Sequence, residues 1–263
     1  MAVVEPKTQS VKSFKGLHLY HSGISNCAMR VRITLEEKGL EWTSHHLDLV
    51  NGEHLTEEYF GINPNGVVPT LVHDGVVIIE SQDIIDYLDQ TYSTPPLRPA
   101  NSAAESVMLD WMARSSEIHV KAVKTYIYDR KMRHAMKKSD AENERYRELQ
   151  SNKELLDFHK KSSQNAFSAA ELEQAEQILN DSFAEADEIL AGANWLAGDQ
   201  FSLADIAWIP LQFTLEQLAN YEYSRFPNVL AWVNRIKSRP SFQNGVLKWW
   251  PMPLQTAPAQ KVG

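Results

Sequence analysis

Val67-Val68-Pro69-Thr70-Leu71-Val72-His73-Asp74-Gly75-Val76-Val77-Ile78-Ile79-Glu80-Ser81 is the stretch on which the reading of the fold turns. Asp-Gly between two β-branched runs is the strongest short hairpin signal a sequence carries, so 69–72 and 76–79 are expected to pair antiparallel. Ser81 is a natural helix cap, and a helix over 81–92 follows, with Ile84, Ile85 and Leu88 on its inner stripe. Upstream, 53–60 reads as a short helix and 42–49 as a strand. The segment 28–38 has helical periodicity and ends at Gly39, a good residue to close a helix. A short strand over 17–20 precedes it. The order βαβ-α-ββα, a parallel unit followed by a hairpin, predicts a small mixed sheet covered by helices over 16–92. Residues 1–15 read as a flexible leader.

Downstream the pattern changes. Between Ser93 and Pro99 there are three prolines in seven residues, a stiff connector over 93–100 that cannot continue a helix. Beyond it strand signals vanish, and an all-helical domain is expected over 101–263, with helices over 103–128, 169–190, 203–218 and 229–238. Ser202-Leu203-Ala204-Asp205 has capping-box spacing with Asp in place of Glu, and Phe201 can serve as its staple. The stretch 129–161 is dense in charges of both signs. It reads either as a recognition arm or as a solvated helical extension.

Composition narrows the function. The 263 residues carry 26 Lys+Arg against 34 Asp+Glu, a formal charge of -8. A net acidic chain lacks the footprint that a phosphate backbone requires, which argues against nucleic acid. No apolar run approaches the roughly 20 residues needed to span a bilayer, so no membrane association is expected. The first residues have no apolar core of a secretory signal. Cys27 is the one cysteine, which excludes an internal disulfide and any multi-thiolate metal site. No metal is expected, and a reducing, cytoplasmic location is.

Three local signals can carry chemistry. Ser25-Asn26-Cys27 lies where the first strand gives way to the first helix. It is either simple capping or a place where the helix dipole and a hydroxyl stabilise a thiolate. Val68-Pro69 opens a strand and is a candidate cis peptide. It is either an ordinary strand start or a backbone edge offered to an extended ligand. Glu80-Ser81 begins a helix, as a cap or as a seat for an amino-acid head group. Together they would hold a thiol, a peptide backbone and an amino-acid head. Glutathione contains those three groups.

Tyr20-His21 with Ser25-Asn26-Cys27-Ala28-Met29-Arg30-Val31-Arg32-Ile33 resembles the active-site segment of zeta-class glutathione transferases and is similar to that of tetrachlorohydroquinone dehalogenase. Gly52-Glu53-His54-Leu55 resembles a theta-class segment. Asn63-Pro64-Asn65-Gly66-Val67-Val68-Pro69 and Glu80-Ser81 match superfamily patterns, as does Trp195-Leu196-Ala197-Gly198-Asp199-Gln200-Phe201-Ser202-Leu203-Ala204-Asp205. The resemblance covers roughly residues 16–250 and is to the glutathione S-transferase superfamily.

It implies a thioredoxin-like N-terminal domain, glutathione as co-substrate and a homodimer. It also implies that Ser25, with Asn26 and Cys27 beside it, forms the catalytic segment, Ser25 stabilising the glutathione thiolate. Cys27 matches a cysteine that forms a mixed disulfide in the dehalogenase. Val68 and a cis Pro69 would pair with the cysteinyl unit, Glu80 and Ser81 with the γ-glutamyl head, and His54 with the glycyl carboxylate. Asp205 would be structural. The long segment after the first C-terminal helix resembles bacterial aryl-ether-cleaving transferases that act on lignin fragments. The expected substrate is therefore a hydrophobic aromatic electrophile with a phenoxide or halide leaving group. Tyr126, Tyr128, Phe213, Trp249 and Trp250 can line its pocket or pack in a helical core. Glutathione-dependent isomerisation, thiol–disulfide chemistry through Cys27 and a non-catalytic binding module are the alternatives.

Overall fold

The computed structural model describes residues 2–132, 139–164 and 167–251. Its first half is a five-stranded sheet, β1 (Ala2–Val4), β2 (Leu17–His21), β3 (Thr43–His46), β4 (Thr70–His73) and β5 (Val76–Ile79), in the order β1-β5-β4-β2-β3. β2 and β3 are parallel and the other pairs antiparallel, with Leu71 opposite Ile78 in the hairpin around Asp74-Gly75. Strand alternation sorts side chains to two faces. Leu17, Leu19, Leu71 and Ile78 join the main core under α1 (Asn26–Glu37) and α3 (Ser81–Thr91). Val72, Val77 and Ile79 face the other way, onto a smaller cluster with Tyr59 and Ile62 of α2 (Glu57–Ile62).

The flexible leader is not what the chain builds. β1 adds to the open edge of β5, with Ala2 opposite Ile79, and a 3₁₀ turn over Gln9–Ser13 buries Val11 completely. Thr8 Oγ1 donates to the Glu58 carbonyl at 2.7 Å and ties this segment to α2. An unpaired edge is a template for another strand, and three residues of Ala-Val-Val carry too little local pattern to announce that they fill it.

Helices make the second half: α4 (Ser102–Ile118), α5 (Asp140–Leu149), α6 (Lys153–Ser163), α7 (Ala169–Gly192), α8 (Leu203–Ala219), α9 (Pro227–Lys237) and α10 (Pro240–Gly245). The helix expected to run straight to residue 128 instead gives way to wide π-type turns over His119–Lys124 and Tyr128–Met132, with one α turn between them. α8 is buried along almost its whole length. Its start is a capping box in which Asp205 accepts from the Ser202 N–H at 2.9 Å, and the same carboxylate takes the Leu196 N–H and Trp232 Nε1–H. Burial pushes the Asp205 carboxyl up to about 6, against the pull of these donors. Among the described residues no helix is long and apolar enough to cross a membrane.

The proline-rich connector is clamped rather than loose. The Lys38 ammonium donates to Asp89, to the Tyr92 carbonyl at 2.7 Å and to the Pro95 carbonyl, and the Leu97 N–H reaches Asp89 at 2.9 Å. α1 then joins the two halves through buried arginines. Arg30 Nε donates to the Ala207 carbonyl at 3.0 Å, and Arg32 Nε to the Gly245 carbonyl at 2.7 Å. A methyl group on Gly245 would stand 2.9 Å from the Ile33 nitrogen, so only glycine lets α10 lie this close to α1.

Arg32 also donates to His21 Nδ1 at 3.2 Å, and His21 Nε2 lies 2.8 Å from Ser44 Oγ. The network assigns the proton to Nε2. Burial first, then Arg32, His46 and His45, push the His21 imidazole down to about 2. Because the folded value lies below the unfolded 6.5, neutral His21 contributes stability that is present above about pH 6.5 and lost as pH falls. One such group has a slope of about 1.4 kcal/mol per pH unit, or about 2 kcal/mol between pH 6.5 and 5. Urea unfolding at pH 7 and pH 5 should show this loss, and His21→Gln should remove most of it. An unchanged pH slope in the variant would show that other groups carry the acid sensitivity.

Candidate active site

Where β2 ends, the chain turns through Ser22-Gly23-Ile24 and enters α1. Ser25 is its N-cap, accepting the Ala28 N–H at 3.2 Å through its hydroxyl oxygen. That bond uses a lone pair and leaves the O–H free to donate. Asn26 is buried and turned toward the helical half. Its Oδ1 accepts from His119 Nε2 at 2.8 Å, and its Nδ2 lies 3.4 Å from Thr214 Oγ1. Cys27 is partly exposed, with its sulfur 3.8 Å from His119 Nε2 and 3.9 Å from Arg30 Nη1.

These three residues form one wall of a cleft between the two halves. It holds about 840 Å³ of empty space, its open mouth included. His54, Gly66, Val67 and Val68 stand along the sheet side. The Val68–Pro69 peptide is cis. Gly66 has φ +58, and a Cβ there would collide with the Phe60 ring at 2.1 Å, so glycine is required at this corner. The helical side supplies His119, Lys124, Ile127, Tyr128, Thr214 and Leu218.

Glu80 and Ser81 lie beside this cleft rather than in its lining. The cap position belongs to Glu80, not Ser81. Glu80 has φ +64, a strained conformation for a residue with a side chain. Burial and then Asp83 raise its carboxyl above the usual value, and Asn65 Nδ2 lies 3.4 Å from Oε1. Ser81 starts the helix, and its hydroxyl accepts from Arg30 Nη1 at 3.0 Å.

Of the five aromatics expected at the pocket, Tyr128 alone is in it. Tyr126 is buried against Tyr221, with the Arg130 guanidinium 3.9 Å from its ring. Phe213 is buried between Phe242 and Trp250, at ring distances of 5.6 and 4.9 Å. Trp249 packs edge-on to His21 at 4.6 Å. All four pack against neighbouring rings away from the cleft, Tyr126 and Phe213 buried and the two tryptophans partly so.

His119 and Lys124 were missed for a geometric reason. In an α-helix, residues five apart stand about 140° away from each other around the axis. The i→i+5 turn over His119–Lys124 stacks them instead on one side. Burial, then Lys124 and Arg30, hold the His119 imidazole well below its ordinary value, so its ring is neutral. Burial also pushes the Lys124 ammonium below the usual lysine value, with Cys27 and Glu80 pulling it back up.

The charged stretch is neither free arm nor plain extension, although 133–138 lie outside the described residues. α5 folds back over the sheet half. Gln150 Nε2 donates to the Asn65 carbonyl at 2.7 Å, Arg145 reaches Glu57 at 3.1 Å, and His159 of α6 lines the cleft.

Models of the glutathione S-transferase N-terminal and C-terminal domains match residues 19–96 and 133–240, together the greater part of the chain. The chain belongs to the glutathione S-transferase family. It is an enzyme of the glutathione-transferase type, with glutathione as co-substrate. Glutathione S-transferase 1 of Dianthus caryophyllus is 47% identical over 83 residues, spanning 32% of this chain and 38% of that protein. Tetrachloro-p-hydroquinone reductive dehalogenase of Sphingobium chlorophenolicum is 29% identical over 86% of this chain and 93% of its own. Among solved structures, the β-etherase LigF of Sphingobium sp. strain SYK-6 superposes with a TM-score of 0.79 at 26% identity, covering 88% of this chain and 99% of its own.

The Gln150 bond is the buried tie between α5 and the glutathione-transferase sheet domain. Gln150→Ala should raise amide hydrogen exchange in 140–163 by roughly tenfold, the equivalent of about 1.4 kcal/mol of local stability. Exchange at the wild-type rate would show that other contacts hold the pair down.

Proposed function

We propose that this enzyme uses the glutathione thiolate to displace a phenoxide or halide from a hydrophobic aromatic electrophile. One observation carries the reading. A single cleft joins the Ser25–Cys27 end of α1 to an apolar wall of Ile24, Leu49, Ile127, Tyr128 and Leu218. The helix N-terminus favours a bound anion, and the Ser25 O–H is available to donate to it. The names of the dehalogenase and the β-etherase support the same class of leaving group. In this reading Val68 pairs with the cysteinyl unit, His54 receives the glycyl carboxylate, and Glu80 with Ser81 holds the γ-glutamyl head. Asn26, occupied by His119 and Thr214, positions rather than donates. The reading also includes a cytoplasmic location, supported by the single cysteine, and a homodimer, supported by the family.

Calorimetry should detect glutathione binding. Glu80→Ala should weaken it by about 1.5–3 kcal/mol, the scale of a hydrogen bond to a charged group. No binding to the wild type would remove the glutathione site. Product analysis with glutathione and aryl ethers, haloaromatics and maleyl acids then tests the substrate class. Turnover of maleyl acids alone would make the enzyme an isomerase.

Cys27 keeps one competing reading in view, because its partly exposed sulfur sits beside His119 and Arg30. In displacement, negative charge sits on the glutathione sulfur before attack, so losing its hydroxyl donor should cost about a hundredfold in kcat. Ser25→Ala should therefore be crippled, while Cys27→Ser should keep most turnover. Loss of turnover in Cys27→Ser, with a glutathionylated product accumulating, would instead make Cys27 the thiol that resolves a mixed disulfide.

A further inference from the structure

Given the displacement reading above, we propose that Lys124 is the general acid that protonates the departing phenoxide, which makes the cleft better suited to aryl ethers than to aryl halides. Lys124 shares the cleft with Ser25 and Cys27 but comes from the opposite domain. An electrophile bound between them would have its attacked carbon toward α1 and its leaving group toward the helical side. The π-type turn that starts at His119 is the device that turns Lys124 into this space. Wide turns of this kind are rare and gather at functional sites.

The glutathione thiol gives its proton to solvent, and its sulfur then forms a C–S bond as the C–O bond breaks. The oxygen leaves with the electron pair and takes a proton from the Lys124 ammonium. Phenol departs, and solvent returns a proton to the neutral amine. A halide is too weak a base to need that proton.

The surroundings suit a donor. The groups acting on the ammonium are Cys27 from α1 and Glu80 before α3, and burial makes it more acidic than a lysine in water. Its nitrogen lies 5.7 Å from the Phe158 ring, an aromatic face that tolerates a cation without accepting its proton. His119 is neutral and commits its Nε2 to Asn26. Tyr128 also lines the cleft, but burial pushes its phenol up to about 12, so it yields a proton less readily than Lys124 does.

The test compares leaving groups. Purified full-length enzyme is assayed with glutathione against phenyl ethers, nitrophenyl ethers and a chloronitrobenzene. Lys124→Met should lower kcat on the phenyl ether by about a hundredfold. The loss should be less than about tenfold on the nitrophenyl ether and the chloride, whose leaving groups are weak bases. Lys124→Arg keeps the cation but not a transferable proton. It should show the same steep dependence with KM near the wild-type value, and it covers the case in which the Met variant fails to fold. A loss independent of the leaving group, or full rescue by arginine, would overturn the assignment while leaving displacement standing. A wild type that binds glutathione yet takes only the chloride would overturn the Lys124 assignment alone, and one that displaces neither phenoxide nor chloride would overturn both.

Discussion

Two guanidinium groups leave water on one helix, and their hydrogen bonds join the two halves of this protein. Arg30 and Arg32 of α1 are almost wholly buried. Taking such charges out of water is costly unless every donor is satisfied. Arg30 spends its donors on Ala207 of α8, Ser81 of α3 and Ser115 of α4. Arg32 spends its own on Gly245 of α10, Ser22 and His21. Burial alone pushes Arg32 down to about 9. Most of these acceptors are backbone carbonyls, which have fixed positions, so α1 has little freedom to slide against its neighbours. The cleft exists because α1 is held in that place.

The same helix carries the chemistry at its other end. Its first turn presents Ser25, Asn26 and Cys27 to the cleft, and Arg30 lies one turn further in, 3.9 Å from the Cys27 sulfur. The framework and the reactive segment are thus consecutive turns of one element. Arg30 therefore touches both the docking surface, at the Ala207 carbonyl, and the reactive segment, at the Cys27 sulfur.

Much of the fold was legible in the sequence. The Asp74-Gly75 hairpin, the parallel unit around α1, the proline boundary and the Ser202–Asp205 capping box are local patterns, and local patterns survive folding. The α1 entry, Val68 and His54 line one cleft: the first two stand at ends of strands that the sheet topology sets side by side, whereas His54 was read from a resembling motif alone. The aromatics were harder. Tyr126, Phe213, Trp249 and Trp250 have the composition of a binding wall, yet nothing in their spacing says whether a ligand or a neighbouring ring covers them.

Sequence alone determined the order of elements from β2 to α3, the change from strands to helices at the prolines and the presence of one thiol at a helix start, because each depends on residues near one another in the chain. Tertiary structure decided which distant groups meet that thiol. Asn26 is 93 positions from the His119 it bonds, and Gln150 is 85 from Asn65. No local periodicity encodes those meetings. The turn that brings Lys124 round beside His119 departs from the α-helical period by which a sequence is read, and it is stable only where packed helices satisfy the backbone it widens.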